Sequence, residues 1–185
     1  MRDSKLPENC RLVFSNRQIL EAMDRLALRL DERLAGTSPV ALCVMQGGLI
    51  FAGHIIPRLH CMLEIDYVHA TRYNNQTRGS ELKWLAHPAS SLQGRVVLIL
   101  DDILDEGHTL HALIDFCKQQ GASDVVSAVL LNKNHDRGVE HRLTDYIALD
   151  VDDHYVFGFG MDYKGQYRQL DSIYALSDPG EQEEA

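Results

Sequence analysis

Hydrophobic residues along the chain follow two spacings, and their alternation predicts the elements. Ile19, Leu20, Met23, Leu26, Ala27, Leu30 and Leu34 recur every three or four positions, so residues 16–35 are predicted to form an amphipathic helix. Ser15 and Gln18 have capping-box spacing at its start, and Gly36 is placed to end it. Val40 to Met45 is a short unbroken apolar run, read as a buried strand, and Gly47-Gly48 supplies a tight turn. Residues 49–58 fit a short helix disturbed at its end by Pro57. Ile65, Tyr67 and Val68 favour an extended segment over 62–73. A polar loop over 74–80 and a return strand over 81–86 follow.

Gly94 precedes the strongest strand signal, Arg95 to Leu100, with Asp101-Asp102 behind it. A turn and a helix over about 109–120 come next, and Gly121 supplies the stop. Further apolar runs lie at 125–131 and 146–151. Unbroken apolar runs separated by helices indicate strands covered on both faces. The predicted fold is α/β: a doubly wound, mainly parallel sheet flanked by helices, with a small antiparallel addition. The length of 185 residues fits one domain over 1–185, with the acidic residues 178–185 as a tail.

Charge and composition narrow the partners. Eighteen basic against 27 acidic residues give a net charge of −9, which argues against a nucleic-acid binder working through a broad basic surface. No apolar run approaches the roughly 20 residues of a membrane-spanning helix. Met1 to Lys5 leads into no apolar signal core. The expectation is a cytoplasmic protein with neither membrane nor nucleic acid as partner. Cys10, Cys43, Cys61 and Cys117 form no C-x-x-C pair and read as free thiols in a reducing compartment. His108 and His111 lack the companions of a structural zinc site.

The informative stretch runs from Val96 to Thr109, VVLILDDILDEGHT. Ligands in open α/β sheets bind beyond the carboxyl ends of strands, and a turn that opens a helix presents backbone N–H groups to phosphate. Gly107 permits close approach, and Thr109 adds a hydroxyl. Asp101-Asp102 offer four carboxylate oxygens, which suit ribose diols and magnesium alike. Together these features suggest a phosphorylated sugar as ligand. Asp105 has two readings on the residues alone: a catalytic carboxylate, or an acid favoured only by a helix N-terminus.

This stretch resembles the signature for 5-phosphoribosyl 1-pyrophosphate in type I phosphoribosyltransferases. The rest of the chain resembles the hypoxanthine-guanine branch over roughly residues 12–175. Met45-Gln46-Gly47-Gly48 is similar to its pyrophosphate loop, and Arg72-Tyr73 with 74–80 to its mobile active-site loop. Leu131-Asn132-Lys133 resembles its purine-reading strand end, and residues 153–163 its purine-binding hood. Arg168 falls where the family has a pyrophosphate-contacting arginine.

The resemblance implies transfer of ribose 5-phosphate to hypoxanthine or guanine, with magnesium as cofactor and a homo-oligomer, dimer or tetramer. It further implies that Asp101 and Asp102 hold the ribose hydroxyls directly or through magnesium. Residues 105–109 (Asp105, Glu106, Gly107, His108 and Thr109) would wrap the 5-phosphate. Asp105 would act at purine N7, and Lys133 would donate to the 6-oxo group. Tyr155 would stack on the base while the Val156 backbone bonds its edge. Gln46, Gly47 and Arg168 would meet pyrophosphate, and Asp162 would join a second magnesium site. Three residues depart from the family pattern. Gln46 stands for a basic residue, Arg72 for the usual Ser, and Glu106 for Thr, its side chain expected to turn outward. Two readings compete: a regulator on the same fold that binds 5-phosphoribosyl 1-pyrophosphate or nucleotide and controls RNA, and a catalytically feeble paralogue, for which Gln46 and Glu106 are the only support. Lys133, Tyr155 and Asp162 favour the enzyme.

Overall fold

The computed structural model describes residues 6–72, 82–138, 144 and 146–176. Nine strands and three α-helices follow in order within them. They are β1 (Cys10–Phe14), α1 (Asn16–Leu34), β2 (Val40–Met45), α2 (Gly48–Ile55), β3 (Glu64–Arg72), β4 (Leu82–Ala86), β5 (Val96–Leu104), α3 (His108–Gln119), β6 (Asp124–Asn134), β7 (Tyr146–Asp152), β8 (Val156–Phe157) and β9 (Ile173–Leu176). The helix expected over 49–58 ends as α2 at Ile55, and Ile56–Arg58 tightens into a 3₁₀ turn containing Pro57.

The main sheet has the order β4-β3-β2-β5-β6-β7. Its neighbours pair in parallel except β3 with β4, the antiparallel return strand. From β2 the chain leaves towards β3, and from β5 it leaves on the opposite side towards β6. The β2–β5 junction is therefore the topological switch point, where open α/β sheets form their ligand crevice. A second, antiparallel sheet of order β1-β9-β8 stands apart from the first. It fulfils the expected small addition, but its outer strand β1 and central strand β9 carry no clear sequence signal.

The unbroken apolar runs are buried on both faces because successive side chains point oppositely. Ala41, Cys43, Leu98, Leu100, Ala128 and Leu130 join Ile19, Met23, Leu26 and Leu30 of α1 in one core. Val40, Leu42, Val44, Val97, Ile99 and Val129 join Leu110, Leu113 and Cys117 of α3 in the other. The first core extends to Val156, Phe159, Ile173 and Ala175, which ties the small sheet to the large one.

The predicted capping box is present at α1, with the Ser15 backbone N–H donating to Gln18 Oε1 at 3.0 Å. Gly121 follows α3 with φ +80°, a conformation costly for other residues. All four cysteines are free thiols. Burial pushes the thiols of Cys43 and Cys117 up to about 11. No helix among the described residues is long and apolar enough to cross a membrane.

One boundary differs from expectation. The strand read as ending at Leu100 continues to Leu104, because Ile103 and Leu104 still pair with Leu131 and Asn132. Asp101 and Asp102 are thus strand residues rather than turn residues. The partner strand β6 likewise outlasts its apolar run and carries Lys133 as a ladder residue opposite Val151.

Candidate active site

A cleft of about 440 Å³ lies at the carboxyl ends of β2 and β5. Gln46, Gly47, Asp101, Asp102, Asp105, Glu106, Gly107, Thr109, Asp162 and Arg168 line it, so ten of the residues singled out from sequence converge. They come from three separate stretches, which the switch point and the second sheet bring to one wall.

The β2 end supplies the floor. The Met45–Gln46 peptide is cis. Gly47 lies so close to the Asp102 carboxylate that a Cβ there would overlap it, and Gly48 abuts the Leu100 carbonyl. Gly160, from the loop after β8, packs equally close on the Gly47 carbonyl. These contacts require glycine and draw the second sheet's loops over the cleft.

Asp101 is 8% exposed. Its Oδ1 accepts the Asp102 backbone N–H at 3.0 Å, and Asp102 Oδ1 accepts the Ile103 N–H at 3.0 Å. Burial, and next the charge of Asp102, push the Asp101 carboxyl well above the usual range. Burial raises Asp102 too, against the lowering influence of Asp101's hydrogen bond and of the Arg168 charge. Two adjacent carboxylates, one buried and one half-buried, gain from hydroxyl donors or a hard divalent cation between them. The donor chemistry of this pair therefore fits both magnesium and a ribose diol.

Gly107 is the N-cap of α3 with φ +78°. Its backbone and that of the following first turn form the N-terminal cradle expected for phosphate. The Glu106 carboxylate stands 3.8 Å from His108 Nε2. Asp105 lies ahead of the cap and pairs across to the β6 end. Its Oδ2 is 3.2 Å from Lys133 Nζ, and its Oδ1 is 2.7 Å from His135 Nε2. Burial alone would raise the Asp105 carboxyl. The His135 hydrogen bond and the Lys133 charge outweigh it and hold the group below its ordinary value.

Lys133 is 12% exposed at its side chain and also lies 3.7 Å from Asp153 Oδ1. Arg137 grips the same Asp153 with two bonds of 2.5 and 2.9 Å. Asp105, His135 and Asp153 come close enough to suggest a metal triad. Lys133 and Arg137 already neutralise both of its carboxylates, so the acidic pair on β5 is the better cation site.

Arg168 donates to the Gly160 carbonyl at 2.6 Å and pairs with Asp162 Oδ1 at 2.6 Å. Asp162 Oδ2 also accepts the Gly165 N–H at 2.8 Å, and the Asp162 carbonyl accepts the Tyr155 hydroxyl at 3.1 Å. Tyr155 is 52% exposed with its ring edge-on to Tyr163, leaving ring surface free for stacking. Val156 is buried in β8. Lys133, Tyr155, Val156 and His108 are not among the cleft-lining residues. Lys133 joins the site through Asp105, and Tyr155 through Asp162. Arg72 ends β3, and Tyr73 with most of the expected mobile loop lies outside the described residues.

Sequence reasoning placed Asp153 in the hood without a role, and missed His135 and the cleft-lining His69 and Ala70. His135 lies just past the end of β6, two residues after Lys133, and nothing in the apolar run signals it. His69 and Ala70 sit in an ordinary strand, and only the β2–β3 pairing of Met45 with His69 places them at the cleft.

A family model described as phosphoribosyl transferase domain matches residues 13–166. A hypoxanthine-guanine phosphoribosyltransferase of Streptococcus thermophilus is 32% identical over 169 residues, covering 91% of this chain and 93% of its own. The enzyme of the same name from Bacillus subtilis is 30% identical over 167 residues, covering 90% and 92%. The crystal structure of a hypoxanthine-guanine phosphoribosyltransferase from Bacillus anthracis superposes with a TM-score of 0.85 at 28% identity. It covers 90% of this chain and 98% of that one.

Proposed function

The chain belongs to the phosphoribosyl transferase family, and on that premise we propose that its cleft carries out purine salvage on hypoxanthine and guanine. Ribose 5-phosphate passes from 5-phosphoribosyl 1-pyrophosphate to the base, giving IMP or GMP and pyrophosphate. The purine N9 lone pair forms the new bond to ribose C1. The C1–O bond to pyrophosphate breaks, the leaving group keeps that electron pair, and the purine gives up one proton from its imidazole ring.

The observation that carries this reading is the meeting of the β5 acidic pair, the Gly107 cradle and the Asp105–Lys133 pair at one strand-end cleft. Residues 106–109 hold the 5-phosphate by backbone N–H groups and the Thr109 hydroxyl. Asp101 and Asp102 hold the ribose hydroxyls and stabilise the positive charge that develops at C1. Gln46, Gly47 and Arg168 orient pyrophosphate, and Arg168 offsets its charge. Magnesium would be held by the Asp101–Asp102 pair and by Asp162, and when bound supplies further charge neutralisation of pyrophosphate. Asp105 receives the imidazole proton. Lys133 donates to the 6-oxo oxygen, Tyr155 stacks on the ring, and the Val156 backbone bonds its edge.

Exposed Ile65 and Tyr67, on one side of β3, support a homo-oligomer. Four free thiols support a reducing, cytoplasmic setting. The test is turnover of hypoxanthine, guanine, xanthine and adenine with 5-phosphoribosyl 1-pyrophosphate and magnesium. Adenine carries a donor where Lys133 also donates, so it should be about 10⁴-fold poorer than hypoxanthine. Adenine turnover within tenfold of hypoxanthine would refute the reading.

A further inference from the structure

We infer that His135 is a positioning residue for the transfer reaction: it holds one oxygen of the Asp105 carboxylate so that the other is turned to the purine imidazole. The inference rests on the proposed role of Asp105 and goes beyond it, because His135 reaches the chemistry only through that carboxylate.

The geometry fixes the tautomer of the ring. The Arg137 backbone N–H donates to His135 Nδ1 at 3.1 Å. A nitrogen that accepts there carries no proton, so the proton of the neutral ring is on Nε2. That Nε2–H donates to Asp105 Oδ1 at 2.7 Å. The ring is therefore clamped from both sides, by backbone at one nitrogen and by carboxylate at the other. Its side chain is only 6% exposed, so water competes little for either bond.

The two oxygens of Asp105 are thus unequal. Oδ1 is held by a rigid donor fixed to the backbone. Oδ2 is held by Lys133, a flexible chain 3.2 Å away that also contacts Asp153. When a 6-oxopurine arrives, Lys133 turns to the 6-oxo group and Oδ2 is released towards N7. Oδ1 remains on His135, which keeps the carboxylate plane from rotating. Arg137 keeps Asp153 neutralised when Lys133 leaves it. The charged groups around the ring are therefore Asp105, Lys133, Asp153 and Arg137. The His135 bond also helps keep Asp105 ionised, and ionisation is the state that accepts a proton.

Three single variants and one double variant test this. His135→Leu keeps bulk and removes the donor. His135→Gln places an amide N–H close to the position of Nε2. Asp105→Asn removes the acceptor, and the double variant His135→Leu/Asp105→Asn closes the cycle. In His135→Leu, kcat with hypoxanthine is expected to fall about tenfold, the order for losing one charge-assisted hydrogen bond. KM for 5-phosphoribosyl 1-pyrophosphate should not change. The acidic limb of the kcat profile should move to higher pH, because Asp105 then protonates more readily. His135→Gln should recover turnover to within about threefold of the parent. On the Asp105→Asn background, His135→Leu should cost almost nothing further, as expected of residues that act through one another.

A His135→Leu enzyme with normal kcat and an unmoved acidic limb overturns the inference. So does a Gln variant as slow as the Leu variant, a comparison that stands even if His135→Leu folds poorly. A full tenfold loss repeated on the Asp105→Asn background overturns it as well, while leaving the role of Asp105 intact. Full activity of Asp105→Asn by itself refutes the role of Asp105 and is read separately from the His135 effect.

Discussion

Asp105 stands two residues ahead of the Gly107 N-cap, and its hydrogen bonds run to Lys133 and His135 rather than to α3. This separates its two sequence readings. A residue present only for the helix dipole would face the first-turn N–H groups and contribute roughly 0.3–1 kcal/mol to stability. Asp105 instead bridges the β5 and β6 ends, with one oxygen on a lysine and one on an imidazole. Asp105→Asn keeps the shape and loses proton acceptance. Turnover is expected to fall by roughly 10²-fold, the low end for loss of a general base. Binding of 5-phosphoribosyl 1-pyrophosphate, held mainly by residues 106–109, should change little. Measuring turnover, ligand affinity and melting temperature on the one variant decides the matter. Near-normal turnover with slightly earlier melting would return Asp105 to the helix-dipole role.

Among the elements, β3 is joined to the segment that leads into β5 by the carboxylates of Glu64 and Asp66. Asp66 accepts the N–H groups of Ala89 and Ser90 on Oδ2 and that of Tyr67 on Oδ1, each at 2.7 Å. Burial alone would raise this carboxyl, but the donors outweigh burial and hold it below its ordinary value. A depressed native-state value means the folded protein binds the proton less readily than the unfolded chain. The stabilisation is therefore present above the unfolded value near 3.8 and is lost as pH falls through the native value. Asp66→Ala should melt below the parent at pH 7, and the gap should close below about pH 4. A gap that stays constant from pH 7 to pH 3 would assign the loss to packing instead. Elements of this kind differ in how openly the sequence declares them. Strands β2, β5 and β6 were legible because burial on both faces demands unbroken apolar runs. Strands β1 and β9 were not, since each is short, neither is an unbroken buried run, and both are defined by pairing 160 or so residues apart. The overrun of β5 past Leu100 was hidden for a related reason. Asp101 and Asp102 look like turn residues locally, and only the Ile103–Leu131 pairing keeps them in the sheet.

Across the whole molecule the same division holds for the site. The acids, the Gly107 turn and Thr109 are contiguous, so one stretch of sequence displayed most of the sugar-phosphate end. The purine end depends on the β6 terminus meeting the loops around β8, and Asp153, His135 and Arg137 become a network only in that meeting. The cleft is walled by both sheets, with Gly160 seated on the Gly47 carbonyl and Arg168 beside the acidic pair. A ligand that fills it must therefore stabilise the native chain as a unit, since the unfolded chain offers no such site. Binding to the folded state alone adds about 2.7 kcal/mol when ligand stands at 100 times its Kd. For a domain of this size, that corresponds to a rise in melting temperature of roughly 5–10 °C. 5-Phosphoribosyl 1-pyrophosphate with magnesium should produce such a rise, and excess EDTA should remove most of it. Asp101→Asn/Asp102→Asn should lose the magnesium-dependent part, because the paired carboxylates that hold the diol and the cation are gone. A rise of equal size in EDTA would show that no cation contributes, and a rise of equal size in the double variant would show that the acidic pair holds neither diol nor cation.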